Sequence, residues 1–376
     1  PEIRELDLGN TPYDGISKAE QQSLLAARAD QLHDPSTLAE EEAALKRMGL
    51  LAGGDDLAAL LDELYGQALP IAYLEQRGRQ SVLESVDKLS VGQRAQAARE
   101  FGRAAAFQEF GSEAARVDDL TDGDEALAVM ALERGDGTAT MLEWSADNVG
   151  GGNQSKVDNV VVPGSDKVFA RMPLLLQREY SFPFLEGRNF VTQLRKDGGW
   201  ASVDDAWRAL PESTEQIMHP KRYRGDRPTT IDMSGIESAL GGGWTERWQQ
   251  TMGELRTGVW LADGQPGEQK TPRAPVKLPR ANAALGWGGD RLVSLDGPDG
   301  SWAIVWQTKW DSGDDVSQFA KAANAVIADL PGAHAVAQVD VSTGISDPVL
   351  VLLTSDAGTL TAVAESLGVG AAVGGG

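Results

Sequence analysis

Apolar residues recur at helical spacing near the start of the chain and at strand spacing shortly afterwards. Two short apolar runs, at 70–74 and 81–83, predict a pair of strands joined by a turn. Before them, leucine and alanine positions separated by proline and glycine predict three helices, over residues 17–34, 38–49 and 56–67. The first 68 residues therefore predict a helical segment that leads into a short hairpin.

Longer helical patterns occupy the middle of the chain. One predicted helix contains residues 90–103, and its predicted partner runs from about residue 122 to residue 144. Clustered glycines predict a mobile loop at 150–155. Two shorter helices are predicted after this loop, over 187–194 and 203–210.

The last hundred residues alternate between strand and helix patterns. The predicted order is a hairpin, a helix, two strands and a helix, over 291–295, 302–308, 316–330, 335–341, 349–353 and 358–367. Such an order is typical of an antiparallel module. The predicted fold class is α+β, with a helical core that carries a short β-hairpin and a C-terminal β-β-α-β-β-α module.

Breaks rich in glycine and proline divide the chain into five predicted parts. They are an N-terminal helical segment, a core, a connecting segment, the C-terminal α+β module and a flexible tail, at 1–68, 69–240, 241–285, 286–367 and 368–376. The tail lacks core-forming residues, so it is predicted to be disordered or held by a partner.

Charge and composition limit the possible partners. The 376 residues carry a formal charge of -22 and give a pI near 4.5, which argues against nucleic acid or an anionic membrane surface. A halophilic source would give the same acidity. Cysteine is absent, which excludes disulfides and thiolate metal sites. No apolar run reaches membrane-spanning length, so no transmembrane segment is predicted.

The most informative short pattern is Arg99-Glu100-Phe101-Gly102-Arg103, in the first of the two long helices. In zinc peptidases, His-Glu-x-x-His places two histidines at i and i+4 on one helix face, where both bind one zinc ion. The glutamate between them is the general base for the metal-bound water. Arginine is protonated and has no lone pair for a cation, so the pattern predicts a lost metal site. On an ordinary helix the same charges would form a solvated face.

Two segments together give the chain a family resemblance. Residues 99–108 are similar to His-Glu-x-x-His-Ala-Leu-Gln-Asp-Gln, and residues 131–138 are similar to Ala-Leu-x-Glu-Gly-Asp-Ala-Thr. The chain thus resembles a degenerate member of a family of extracytoplasmic zinc metallopeptidases of the glutamate-zincin type. The similarity covers the chain from about residue 50 to the last helix, with downstream matches at Pro211, 213–217, His219-Pro220, 286–291 and Trp310-Asp311.

The resemblance implies a metallopeptidase-like core whose zinc site has been lost. Arg99, Arg103 and Arg134 fall at the three former ligand positions, and Glu100 remains at the position of the general base. No catalytic residue, metal or cofactor is therefore expected. Further residues implied to lie in or beside the former cleft are Asp136, His219 and Tyr223.

The resemblance also implies an extracytoplasmic location, either secreted or attached to the cell surface. The chain begins with Pro1 rather than methionine, which predicts that an upstream segment such as a signal peptide or lipid anchor was removed. The favoured function is a catalytically inactive, surface-located module for binding or scaffolding. Its predicted partner is another protein or a cell-surface component, and the oligomeric state is left open.

Two other functions stay open at this point. An active zinc-dependent hydrolase would need relocated ligands, for which the candidates are His219 with some of Glu100, Asp118, Asp119 and Asp136. A structural surface-assembly protein would also agree with the acidic composition and the glycine-rich tail.

The three arginines pose an electrostatic problem, because Glu100 alone compensates only one of their charges. Burying a guanidinium without a partner costs several kcal/mol, so either acids turn inward or water enters. With acids, the arginines would form a salt-bridged lock between two helices, which we favour. With water, they would form an open pocket that binds anions. The acids available for a lock are Glu133, Asp136, Asp118 and Glu109.

Overall fold

Helices form most of the first two thirds of the structure, and an antiparallel sheet forms most of the last third. The structure is a computed structural model that describes residues 13–74, 79–83, 89–114, 122–262, 280–338 and 348–369.

The N-terminal segment contains three helices, α1 (Lys18–Ala26), α2 (Leu38–Arg47) and α3 (Leu57–Tyr65). Side-chain oxygens of Ser17 and Asp56 accept backbone hydrogen bonds at the starts of α1 and α3, which fixes where these helices begin. The first predicted helix is shorter than expected, because residues 27–31 continue as a 3-10 helix. The apolar faces of α2 and α3 pack into the same core as the C-terminal sheet.

The predicted pair of strands is confirmed and gains a third member. Strand β2 (Ile71–Leu74) pairs antiparallel with β3 (Arg79–Leu83), and β1 (Tyr13–Ile16) pairs parallel with β3 on its other side. The predicted turn between β2 and β3 includes residues 75–78, which lie outside the described residues. Strand β2 packs on the first long helix, and this contact brings backbone groups of the sheet to the candidate site.

The helical core is organised around α5 (Gly123–Asn148), which packs against α4 (Val91–Ala114) and α8 (Leu174–Arg208). Every residue of α5 from 126 to 139 is buried. The α5 and α8 backbones approach closely at Gly187, where an added Cβ atom would lie 2.1 Å from the carbonyl oxygen of Ala131. Four short helices complete this region: α6 (Gln154–Asp158), α7 (Asp166–Phe169), α9 (Thr214–Met218) and α10 (Ile236–Leu240).

The predicted glycine break between two helices in this region is confirmed. The backbone of Gly198 and Gly199 is non-helical and divides α8 into two helical parts. Its first half begins earlier than predicted, because Leu174–Phe184 supplies apolar side chains that are buried in the core. The predicted loop at 150–155 is folded into a 3-10 turn, Gly151–Asn153, followed by α6.

The C-terminal module contains an antiparallel sheet in the order β4-β5-β6-β8-β7. Its strands are β4 (Thr245–Gln250), β5 (Trp287–Asp296), β6 (Trp302–Trp310), β7 (Ala333–Gln338) and β8 (Val349–Thr354). The helices of this region are α11 (Gly253–Leu261), α12 (Gly313–Ile327) and α13 (Ala357–Ser366). The predicted hairpin pairs as β5 with β6.

Both faces of this sheet are covered. On one face Trp306 and Trp310 of β6 pack around Phe319 of α12. On the other face Val305 and Leu352 share a cluster with α13. All six residues of β8 are buried, as expected for a central strand of a sheet that is covered on both sides.

The sheet has one strand more than the predicted β-β-α-β-β-α module. Strand β4 comes from the segment 241–285, which was predicted only to connect two domains, and it pairs with β5 along the sheet edge. Exposed charged and amide side chains alternate along β4 with buried Trp248 and Gln250. Because so polar a segment, typical of an edge strand, lacks a clear apolar pattern, the strand was not predicted from the sequence.

The observed mixture of helices and an antiparallel sheet confirms the α+β class, whereas the metallopeptidase-like nature of the core stays a prediction. Among the helices described, none has both the length and the apolar composition needed to cross a membrane. Most of the predicted tail, residues 370–376, lies outside the described part of the chain.

The close approach of α5 and α8 can be tested by adding one methyl group. We expect Gly187→Ala to lower the free energy of unfolding by about 1–3 kcal/mol, because its Cβ would overlap the Ala131 carbonyl. Gly152→Ala is the matched control, since no atom lies within 4 Å of its added Cβ. Urea unfolding followed by circular dichroism measures both changes. Equal stability of the two variants would contradict this packing.

Candidate functional site

Two facing helices, α4 and α5, bring the arginines of the sequence pattern together. Gly137 of α5 lies directly against Arg103, and a Cβ atom there would be 2.8 Å from the Cγ atom of Arg103. Gly102 of α4 is packed in the same way against Thr140. Small residues on both helices thus allow close approach, and the long arginine side chains occupy the space between them.

Glu100 is enclosed by hydrogen-bond donors on both carboxylate oxygens. Its Oε1 accepts from Arg99 Nε at 3.0 Å, and its Oε2 accepts from Arg103 Nη1 at 2.8 Å. Oε2 also accepts the backbone N–H of Tyr73 in β2 at 3.0 Å. The Glu100 carboxylate is therefore buried and joins α4 to the small sheet.

Glu133 joins α4 to α5. Its Oε1 accepts from Arg103 Nε at 2.7 Å and from Arg134 Nη1 at 2.6 Å. Burial alone would raise the pKa of Glu133, but the charges of Arg103 and Arg134 hold it below its usual value. Glu133 is therefore ionised at neutral pH and serves as a shared anion for two of the three predicted arginines.

Arg99 connects this group to a third part of the core. Its Nη1 donates to the carbonyl oxygens of Val160 and Val161 at 2.9 and 3.1 Å, and its guanidinium lies over the ring of Phe184. We call Arg99, Glu100, Arg103, Glu133 and Arg134 the arginine–glutamate network. It holds α4, α5, β2 and the segment after α6 together.

Burial decides between the two arrangements that the sequence left open. Arg99 and Arg103 are each 1% exposed and Arg134 is 4% exposed. The arginines therefore form neither a solvated helix face nor an open, water-filled pocket. Their carboxylate partners match the lock in part: Glu133 takes part, whereas Glu109 is exposed and Asp118 lies outside the described residues.

The remaining sequence candidates have other partners in the structure. Asp136 accepts a hydrogen bond from Trp207 Nε1 at 2.9 Å. His219 Nε2 lies 3.0 Å from Glu254, and the hydroxyl of buried Tyr223 donates to the carbonyl oxygen of Ala209. The contacts described for His219 and Tyr223 thus hold α9 and the following loop in place. Asp119 lies outside the described residues.

Sequence reasoning missed two groups of buried charges. Arg28 is one of them: its Nη2 donates to the carbonyl oxygen of Tyr73 at 2.6 Å, which brings a fourth arginine beside the network. Burial and the nearby charge of Arg134 lower the pKa of Arg28 to about 10, so it still carries a proton at neutral pH. The only sign in the sequence that Arg28 is buried was its position among small apolar residues of a predicted helix.

The second group is centred on His33. Its Nδ1 lies 2.8 Å from Glu41, its Nε2 lies 3.4 Å from Glu179, and Glu179 also accepts from Arg256 Nε at 2.6 Å. Burial opposes the charged imidazole, but Glu41 and Glu179 outweigh it and raise the pKa of His33 to about 10. His33 is therefore a cation at neutral pH that links the N-terminal helices to α8 and α11.

The downstream sequence matches meet around Arg222. Its Nη1 lies 2.8 Å from Glu215, 3.1 Å from Asp311 and 3.5 Å from Asp226, and these three residues offer carboxylate oxygens within 4.8 Å of one another. Burial and the charge of Glu254 raise the pKa of Glu215 to about 8. Arg222 supplies the cation here, so this cluster joins α9 to β6 and does not support a relocated metal site.

Asp290 lies in the glycine- and tryptophan-rich sequence near the start of β5 and is hydrogen-bonded to two of the tryptophans of the sheet. It accepts the backbone N–H groups of Met252 and Gly253 at 2.8 and 2.9 Å, and the indole N–H groups of Trp287 and Trp306 at 2.7 and 3.1 Å. Burial raises the pKa of Asp290 to about 6, against the effect of these four donors. Its role is structural, because it fixes the start of α11 on the sheet.

A zinc ion does not fit between Arg99, Arg103 and Arg134. Guanidinium groups cannot coordinate a cation, and both oxygens of Glu100 already accept hydrogen bonds from protein donors. Three arginines around the same point would also repel a divalent cation. These arginines and glutamates are suited to ion pairing with one another and not to metal binding.

Comparison with known proteins adds one finding. Residues 244–369 match a family described as a domain of unknown function, DUF8575. The match encloses the whole five-stranded sheet with α11, α12 and α13, and it begins one residue before β4. The arginine–glutamate network lies outside it. No curated protein and no solved structure matches the chain.

The buried charge of His33 predicts how stability depends on pH. Its pKa is raised from 6.5 to about 10 in the folded state, so its stabilising effect is complete below pH 6.5 and is lost as pH rises through 10. We expect the free energy of unfolding to fall by an amount on the order of a few kcal/mol across this range. His33→Gln should remove this fall.

Urea unfolding at pH 6, 8 and 10 would measure the effect. His334→Gln is the control, because burial lowers the pKa of His334 and keeps its titration out of this range. Parallel stability curves for the wild type and His33→Gln would show that the imidazolium does not contribute.

Proposed function

We propose that this chain is a catalytically inactive relative of zinc metallopeptidases that acts as a binding or scaffold module. The observation that carries the proposal is the pairing of Glu100 and Glu133 with buried arginines. Arg103 donates to Glu100 and to Glu133 at the same time, at 2.8 and 2.7 Å. A general base needs access to a water molecule and to substrate, and Glu100 is only 2% exposed.

In this proposal the arginine–glutamate network takes over the mechanical task of a structural metal. A zinc ion would cross-link two helices through their side chains, and here Arg103 and Glu133 join the same two helices. Removing one partner from a buried ion pair typically destabilises a protein by about 3–5 kcal/mol, because the other charge is left without compensation. Such a cross-link does not depend on metal supply.

A scaffold role is supported by the way the parts of the fold are joined. Helices α4, α5 and α8 pack together in the core, and Arg222 joins this core to the C-terminal module through Asp311. The proposed setting is extracytoplasmic, secreted or attached to the cell surface, with another protein or a surface component as partner. The resemblance of residues 99–108 and 131–138 to the peptidase family supports this setting.

The first test is metal content. The purified protein should hold far less than one zinc per chain, and a chelator should leave its unfolding temperature and its lack of peptidase activity unchanged. Elemental analysis, together with thermal unfolding in the presence and absence of chelator, makes the measurement. One zinc per chain, lost together with a peptidase activity, would refute the proposal.

The second test is the cross-link itself. Arg103→Met should lower the free energy of unfolding by about 3–5 kcal/mol, because Glu133 and Glu100 would each lose a buried partner. Arg94→Met on the same helix is the matched control, since Arg94 is exposed, and it should change stability by less than about 0.5 kcal/mol. Chemical unfolding compares the two variants. A stable Arg103→Met protein would mean that the network is not a lock.

A further inference from the structure

A cleft of about 760 Å³ lies where the helical core meets the C-terminal module. One wall is the start of α5, a second is the segment 228–234, and a third is formed by β4 and β5. The volume falls within the range of about 300–1,000 Å³ that is usual for small-molecule sites. The cleft shares no lining residue with the arginine–glutamate network, so its use would go beyond the proposed function.

The lining of the cleft is strongly acidic. Among its lining residues one is cationic, Arg291, and Arg291 is directed toward Asp122, 3.7 Å away. The carboxylates along the lining are Asp122, Asp124, Glu125, Glu212, Asp232 and Asp290. A concave surface with one sign of charge concentrates the field and raises the local concentration of ions of opposite charge.

Most of these carboxylates are already used inside the protein. Asp122 begins α5 by accepting the N–H groups of Asp124 and Glu125, Asp124 binds Thr214, and Glu212 pairs with Arg227. Asp122 and Glu212 therefore contribute to the field rather than to direct contacts, whereas burial raises the pKa of Asp124 well above its usual value and reduces its share of the charge. The carboxylate best placed to meet a ligand must come from the remaining acids.

Glu125 is that carboxylate. Its side chain is half-buried against the cleft and has no hydrogen bond or ion pair with any described residue. Burial and the charges of Asp122 and Glu212 raise the pKa of Glu125, and no cationic side chain of a described residue pairs with its carboxylate. A bound cation would relieve this repulsion.

The lining of the cleft offers apolar contacts as well as polar ones. Ile231 and Met233 of the segment 228–234 line the cleft together with Thr229 and Thr230. This segment is fixed on the sheet, because Thr229 N donates to the carbonyl oxygen of Gly288 at 2.8 Å. Apolar side chains facing carboxylates suit a ligand with a hydrocarbon stem and a charged end.

We propose that this cleft binds an alkylammonium or alkylguanidinium group, with Glu125 as its direct partner. The group could belong to a free polyamine or to a lysine or arginine side chain of a partner protein. In both cases the stem packs on Ile231 and Met233, and the charged end pairs with the Glu125 carboxylate.

Calorimetric titration of the full chain tests this proposal. Spermidine is the probe for a free polyamine, a capped Ala-Lys-Ala-Lys-Ala peptide is the probe for a protein segment, and its glutamate counterpart is the negative control. At low ionic strength we expect saturable binding of about one spermidine or lysine peptide per chain, which weakens as salt is added. The probe that binds more tightly shows whether the cationic group comes from a free polyamine or from a protein side chain.

Two variants locate the binding. Glu125→Gln should weaken binding by about fivefold or more, whereas Asp147→Asn, an equal charge change at an exposed position of the same helix, should alter it by less than about twofold. Thr230→Lys places a competing cation at an exposed position of the cleft lining and should also reduce binding. Circular dichroism verifies that each variant is folded.

Absence of saturable binding by both probes would overturn the proposal. Equal weakening by Glu125→Gln and Asp147→Asn would also overturn it, because it would show that the acidic surface as a whole attracts the cation. Neither result would affect the tests of metal content and of Arg103→Met, which concern a different part of the core.

Discussion

The structure depends on buried pairing between arginine and glutamate where α4 meets α5. Arg103 is 1% exposed and contacts Glu100 on its own helix and Glu133 on the next. A guanidinium can be removed from water only if its charge and its donors are met, so these contacts fix both the spacing and the register of the two helices. The glycines at 102 and 137 follow from this constraint, because a larger residue would occupy the space of the arginine stems or of Thr140.

The same rule operates where the helical core meets the C-terminal module. There Arg222 lies among three carboxylates, from α9, from the loop that follows α9 and from Asp311 just after β6. Within the C-terminal module, Asp290 accepts four hydrogen bonds, from two tryptophans and from two backbone N–H groups at the start of α11. Ionic and hydrogen-bonding centres with several partners thus hold parts that are distant in sequence. An apolar core shared by α3, α12 and the sheet packs these parts together as well.

Much of the element order could be predicted from the sequence, because periodicity and caps are local. The two long helices, the β2–β3 pair and the β5–β6 hairpin were predicted with small errors in their ends. The glycines at 198 and 199 interrupt α8 as predicted, because their backbone is non-helical. Strand β4 was missed because its exposed face is charged, and only its pairing with β5 identifies it as a strand.

For the site, the sequence by itself determined that positions 99 and 103 offer no metal ligand, since arginine cannot bind a cation wherever the helix lies. Only the tertiary structure decided what the arginines do instead. Their partners Glu133 and the Val160 and Val161 carbonyls belong to other elements, and pairing across elements has no signature in a single sequence. The burial of these arginines could not be predicted for the same reason. A charged residue is expected to be exposed unless an oppositely charged partner lies beside it in the folded structure.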